Sequence, residues 1–263
     1  MAEHYIQIAE HRIQMIGESV QLNKLFYENF QLLQGSQKQQ EPDLYLRVIG
    51  GFGAPFSSDH VEIDRKENQV LFQRTDYLLA VDEDFKHATI RAFDELALKH
   101  AFMNLYSSFL VHHQWGLLLH SCSVLDRGVA HLFAGHSGDG KSTAARLSFP
   151  RKLFADEASI VKIEQEQVKV FNSPFRSELT AVASQVTAEL ASIQILNQAS
   201  QHQRIKISKA DALFQLIDKV FFWSHSQAEI RKILQMLTTL VKKVPVYELY
   251  FQKNPAFWEL ISS

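Results

Sequence analysis

The sequence predicts a mixed α/β chain in two parts. A small strand-rich domain spans residues 1–92, and an α/β (α+β) domain built around a phosphate-binding loop spans 93–263. Three observations carry this reading. Residues 135–143, Gly-His-Ser-Gly-Asp-Gly-Lys-Ser-Thr, fit the pattern G-x-x-x-x-G-K-[ST]. The apolar run Val129 to Ala134 enters that stretch and the Ala-rich run Thr143 to Leu147 leaves it, the strand–loop–helix setting that the motif requires. Upstream of residue 92, short apolar/polar alternations separated by turn residues dominate.

Each position of the loop has a physical reason. Gly135, Gly138 and Gly140 open backbone dihedrals that other residues avoid, so successive N–H groups can turn toward one anion. His136, Ser137 and Asp139 fill the variable positions, and His136 is a candidate for contact with phosphate. Lys141 offers a charge to the β- and γ-phosphates, and the Ser142 hydroxyl can ligate Mg²⁺. Thr143 opens the following helix, whose dipole favours the same anion. Four fixed positions arise by chance roughly once in a hundred chains of this length, and the flanking strand and helix lower that further. The loop predicts binding of a nucleoside triphosphate.

Composition excludes several classes. With 46% apolar and 21% charged residues, the 263-residue chain can bury one large core or two modest ones. A net charge of −2 offers no electrostatic footprint for nucleic acid. No run of about 18 apolar residues predicts a membrane span. The opening Met1-Ala2-Glu3-His4-Tyr5 lacks the basic and apolar regions of a secretory signal, so a cytoplasmic protein is expected. The single cysteine, Cys122, lies in an apolar strand and reads as a small core residue.

In chain order, Tyr5–Ile8 and Arg12–Ile16 alternate as strands, and residues 22–33 carry helical spacing. A polar loop covers 35–42. Strands are expected at 44–49, 61–64, 69–73, 77–81 and 88–91, with Gly51 and Gly53 marking a turn rather than a second nucleotide site. Residues 93–113 form a helix that is apolar most of the way round, expected to be buried and to seat one domain against the other. A hairpin follows, 116–125 pairing with 128–134 across Asp126-Arg127. Beyond the loop, 152–157 is an apolar strand ending in Asp156-Glu157, and 159–163 pairs with 168–171. Pro174 makes 172–178 a loop. Residues 188–199 have no clear period. Helices are expected at 209–223 and 227–243, and 244–251 closes the chain as a strand that Pro245 marks as an edge.

The chemistry of a phosphate loop needs a carboxylate nearby, to hold metal or accept a proton. Asp156 and Glu157 end a strand that returns after only one helix, which brings them back beside the loop. The bland alternative, a pair of solvated charges at a strand end, fits the pattern less often than the functional one. His120 lies in the strand that pairs with the loop's own strand and can point at the phosphates or at the acids. His112, His113 and His131 show no metal-ligand spacing and read as structural.

His120, the 135–143 loop and Ala155-Asp156-Glu157, in this order, resemble the catalytic domain of HPr kinase/phosphorylase, a fold shared with ATP-dependent phosphoenolpyruvate carboxykinases. The likeness runs over about 117–180 and more loosely to 263. Asn172-Ser173-Pro174-Phe175 resembles the Gly-Thr-Pro-Phe loop of kinase-like relatives in peptide-modification clusters, and Val244 to Leu249 is also similar to theirs. The resemblance implies that Lys141 and Ser142 take phosphates and Mg²⁺, that Asp156 is the general base, Glu157 the neighbouring metal-side acid and His120 the active-site histidine. Arg176 joins them as a candidate for stabilising the transferring group. The chain departs from the family in three ways. Its second acid is Glu instead of Asp, the loop carries Asp139, expected to face solvent, and no Arg-Gly-Leu-Gly stretch is present.

The resemblance therefore implies an ATP- and Mg²⁺-dependent kinase acting on a Ser or Thr hydroxyl of a peptide or protein, without nucleic-acid or membrane partners. A kinase for a small molecule such as free serine, and a nucleotide-binding switch without transfer, stay open, as does homo-oligomerisation. Because residues 1–91 hold no catalytic residue of their own, they are expected either to help bind a peptide acceptor through a sheet edge or, equally, to buttress the fold or a subunit contact.

Overall fold

The computed structural model describes residues 2–35, 40–66, 68–177 and 187–262. Part of the expected polar loop (36–39) and Glu178 lie outside the described residues. The chain divides into two compact units, Met1–His113 with Phe222–Glu229, and Gln114–Phe221 with Ile230–Ser263. Both combine sheets with a few helices in an α+β arrangement.

The first unit contains β1 (Ala2–Ile8), β2 (His11–Gly17), α1 (Val20–Asn29), β3 (Gln31–Leu32), β4 (Leu44–Gly50), β5 (Glu62–Lys66), β6 (Gln69–Arg74), β7 (Tyr77–Asp82), β8 (His87–Ala92) and α2 (Glu95–His112). One eight-stranded sheet runs β3-β1-β2-β4-β8-β7-β6-β5. It is parallel at β2/β4 and β4/β8 and antiparallel elsewhere. Alternation sets the faces: Tyr77, Leu79 and Val81 of β7 are buried, while Leu78 and Ala80 are half-buried. Helix α2 packs on β7 and β8. Asp94 caps it by accepting from the Ala97 N–H at 2.9 Å, and Glu95 in the first turn suits the dipole. Its residues from Ala101 to Val111 are all buried, as the apolar all-round pattern predicts. The long helix thus belongs with the first sheet, and the division of the chain falls after it.

The second unit contains β9 (Gly116–Asp126), β10 (Val129–Ala134), α3 (Lys141–Leu147), β11 (Lys152–Ala155), β12 (Ala158–Ile163), β13 (Val168–Phe171), β14 (Thr187–Gln198), β15 (Gln203–Lys206), α4 (Lys209–Ile217), most of α5 (Gln227–Lys243), β16 (Val246–Phe251) and α6 (Phe257–Ile261). Strand order is β10-β9-β12-β13-β14-β16-β15. A further parallel pairing of β10 with β14 closes five strands into a small barrel, and β11 pairs with β9. The β9–β10 hairpin turns at Arg127-Gly128, one residue later than expected. Both have positive φ (49° and 88°), as the right-handed twist of a two-residue hairpin demands.

Three elements differ from the sequence expectation. The unassigned 188–199 stretch is the twelve-residue β14, with neighbours on both sides. Its buried Ser192 and Gln194 hide the strand period, because they bond to His131 and Arg204. Strand β16 is not an edge: it lies between β14 and β15. Pro245 sits just outside it, where no ladder N–H is needed, and its carbonyl accepts from the Ile193 N–H at 3.1 Å. The helix expected over 209–223 ends at Ile217. The chain then runs extended beside β9, with the His120 N–H donating to the Lys219 carbonyl (2.7 Å) and the Phe221 N–H to that of Leu118 (2.9 Å). Strand β15 and helix α6 are additions.

A core of Cys122, Val124, Phe133, Leu153, Leu249, Phe251, Phe257 and Trp258 lies under α3 and seats the loop that precedes it. The α6 aromatics wedge against Phe133 and Phe251.

Candidate functional site

The glycine-rich loop leaves the end of β10 and closes on α3. Gly138 and Gly140 have φ of +92° and +104°, a region that favours glycine. A Cβ at Gly140 would also lie 2.8 Å from the Phe251 ring, so the loop is pressed onto the core. From the end of β14, Gln198 Nε2 donates to the Gly138 carbonyl at 2.7 Å and pins the tip.

Lys141 points back along the loop. Its Nζ donates to the carbonyls of Gly135 (2.9 Å) and His136 (2.8 Å), and the residue is only 8% exposed. Burial holds its ammonium below the ordinary lysine value. Asp139, expected to face solvent, is half-exposed. Its carboxylate turns back along the loop and accepts from the His136 N–H, against the Cα of Gly135, where any Cβ would collide with it. A short acidic side chain three residues on can accept from a backbone N–H of its own turn, and that local bond draws the carboxylate back.

The acids return beside the loop as predicted. Asp156, at the end of β11, is 3% exposed. It accepts from the Ser177 N–H (3.1 and 3.3 Å) and from the Ser177 hydroxyl at 3.1 Å. Glu157 is half-buried. His120, opposite Ala158 in the β9–β12 register, packs at a tilt against Phe221 with ring centroids 5.1 Å apart. Burial, and then the charge of Lys141, push its pKa down to about 4, so the imidazole is neutral at pH 7.

These groups meet. One cavity of about 330 Å³ is lined by His120, Ser137, Gly138, Gly140, Lys141, Ser142, Thr143, Asp156, Glu157 and Ser177. Gly135, His136 and Asp139 belong to the same loop without lining that space. Arg176 is placed elsewhere: its Nη2 donates to the carbonyls of Leu153 (3.3 Å) and Phe154 (2.9 Å) and to Asn172 Oδ1 (2.7 Å). It clamps the 172–177 loop onto β11 and does not line the cavity. Among the described residues, no group of three or more His, Cys, Asp and Glu side chains could hold a metal by itself.

Three residues at the site carry no signal in the sequence pattern. Ser177 and Gln198 are two. The third is Lys219, whose Nζ lies 2.7 Å from Asp218 Oδ1 and 3.0 Å from His136 Nε2. A helix expected to run on to 223 would have carried it away. Its position follows from the early end of α4.

The other singled-out residues are structural. Cys122 is buried, its Sγ 3.4 Å from the Lys141 carbonyl, and burial raises its thiol to about 12. His131 bonds Ser192 through Nδ1 at 2.8 Å. His112 lies 3.7 Å from Glu229 in the first unit. Among the described residues, no helix is long and apolar enough to cross a membrane.

No curated protein matches the chain. Residues 84–263, which take in β8, α2 and the whole of the second unit with its loop and acids, match the family described as SynChlorMet cassette protein ScmC. The match covers more than half of the sequence, and the chain belongs to the ScmC family.

Proposed function

We propose that the chain is a phosphotransferase that uses ATP and Mg²⁺ to phosphorylate a Ser or Thr hydroxyl of a peptide or protein, in the manner of HPr kinase-related enzymes. One observation carries the reading: Lys141, Ser142, Asp156, Glu157 and His120 line a single cavity. Two adjacent carboxylates facing the loop let one hold metal while the other accepts a proton, and only transfer calls for the second role.

The residues suit the groups they would take. Lys141 is a buried cation bonded to two neutral carbonyls, and among the described residues no carboxylate pairs with it. Such a charge calls for an anion. Ser142, Asp156 and Glu157 are hard oxygen donors of the kind Mg²⁺ prefers, with its remaining ligands drawn from water and phosphate. ATP and its metal, when bound, supply the transferable phosphoryl group and neutralise its charge. Asp156 accepts the acceptor's hydroxyl proton, and the hydrogen bond it accepts from the Ser177 hydroxyl supports that role. His120, being neutral, can orient a hydroxyl or phosphate oxygen without adding charge.

One observation favours a second reading, a nucleotide-binding module without transfer. The Asp139 carboxylate occupies the His136 N–H that an anion would use. Incubation with γ-labelled ATP, Mg²⁺ and a panel of peptides, proteins and free serine separates the two. Transfer that Asp156→Asn abolishes, with nucleotide binding retained in a calorimetric titration, supports the phosphotransferase. Tight binding with no transfer to any acceptor or to water supports the module, and transfer to free serine alone moves the acceptor to the small-molecule class.

A further inference from the structure

The carboxylate assigned as proton acceptor already holds a hydroxyl. Ser177 Oγ lies 3.1 Å from Asp156 Oδ2, and the residue lines the same cavity as Lys141 and Ser142. This serine is held in place by the loop that carries it. The Ser173 N–H donates to the Phe154 carbonyl at 2.8 Å, and Phe175 is buried. Arg176 grips β11 and Asn172 through its guanidinium. The Ser177 N–H adds bonds to both Asp156 oxygens. A hydroxyl donating to a buried carboxylate beside a phosphate loop is the arrangement an acceptor needs at the moment of transfer.

We propose that Ser177 is a modification site, phosphorylated by the chain that carries it. The inference rests on the phosphotransferase reading and adds an acceptor to it. The Ser177 oxygen forms a bond to the γ-phosphorus of ATP, and its proton passes to Asp156 Oδ2. The bond from the γ-phosphorus to the β–γ bridging oxygen breaks, and ADP leaves with that electron pair. The product places about two negative charges beside Asp156 and Glu157. Modified protein therefore binds ATP more weakly and presents no free base to another acceptor, so the reaction limits itself.

Purified full-length protein is incubated with Mg²⁺ and ATP, and intact mass with fragment localisation is followed over time. The expected result is one phosphate per chain, on Ser177, at a first-order rate unchanged over about a tenfold range of protein concentration. Asp156→Asn should block it, and Ser177→Thr should still accept a phosphate at the same position. A readout independent of turnover is the affinity of Ser177→Glu for ATP by calorimetry, expected to fall about tenfold from the added charge. Phosphate found only at other residues, or a rate that rises with protein concentration, overturns the proposal. An unmodified Ser177 in protein that binds ATP and transfers phosphate to an added acceptor or to water overturns it alone and leaves the phosphotransferase standing. Failure of the wild type to bind ATP overturns both.

Discussion

Each unit buries charge, and the two do so in opposite ways. In the first, Arg74 and Asp76 form a bidentate pair at 2.7 and 2.9 Å, with side chains 5% and 1% exposed. His100 bonds the same guanidinium, and the rings of Phe56 and Tyr77 lie 4.7 Å from it. Every face of that charge is met by a permanent partner. In the second unit the buried Lys141 donates to two neutral loop carbonyls, and among the described residues no carboxylate pairs with it. These partners are weaker than a counter-ion and can be exchanged for a ligand. A buried charge closed by its own counter-ion holds a fold together. One left with neutral partners beside a cavity is available for chemistry.

The largest effect tests the closed pair. Arg74→Ala leaves Asp76 buried and uncompensated, and should cost about 3–5 kcal/mol of stability. Denaturant unfolding measures it. A loss below about 1 kcal/mol would show that water reaches Asp76 and that the pair is not closed. The matching change at the open site is Lys141→Ala. It should lower ATP affinity roughly a hundredfold, the worth of a charge-assisted contact, while stability stays close to wild type. Calorimetry and unfolding together give the contrast. Unchanged affinity in a folded variant would remove the loop as the site.

Much of this contrast was legible in the sequence, because the loop motif depends on local backbone chemistry and the acids follow it after a single helix. The strands of the first unit were legible for a different reason: β2, β6 and β7 alternate cleanly between a buried and a half-exposed face. Strand β14 was not, since Ser192 and Gln194 interrupt its apolar run to satisfy His131 and Arg204. Nor were Lys219 and Ser177, whose places depend on where α4 stops and how Arg176 folds back on β11. Asp139 was read as facing solvent, because composition does not reveal that its carboxylate turns back onto the His136 N–H. What pattern cannot show is a side chain whose partner lies far away in sequence.

A smaller effect comes from pH. Burial lowers both His120 and His131 to about 4, so each ring is neutral in the fold but titrates near 6.5 when unfolded. The unfolded chain therefore binds more protons between about pH 6.5 and 4, and stability must fall as pH drops through that window. Above it, neither ring contributes a slope. Melting temperature against pH measures this, and replacing either histidine with Gln should flatten the curve. The two sites then separate: saturating ATP and Mg²⁺ should alter the His120 contribution, since that ring lines the cavity, and leave that of His131 untouched. Identical behaviour of the two would deny His120 its place at the open site.

The smallest effect concerns the first unit's surface. Strand β5 ends its sheet, and Glu62, Asp64, Arg65 and Lys66 are exposed along it. Charges on an edge strand discourage indiscriminate pairing between chains, yet leave the backbone free to accept a chosen strand. A kinase for a small metabolite needs only the cavity, whereas a peptide needs a surface that holds it in line with the base. If the acceptor is a peptide, β5 is the part of the first unit best suited to bind it, through main-chain bonds and complementary charge. Hydrogen exchange with and without a peptide found to accept phosphate in the transfer assay should then show modest added protection in 62–66, alongside stronger protection around 120–177. Ser177 and its loop should be protected whichever acceptor binds, so they serve as the internal standard. Protection confined to the second unit would leave the closed charge pair and its sheet a purely structural part of the molecule.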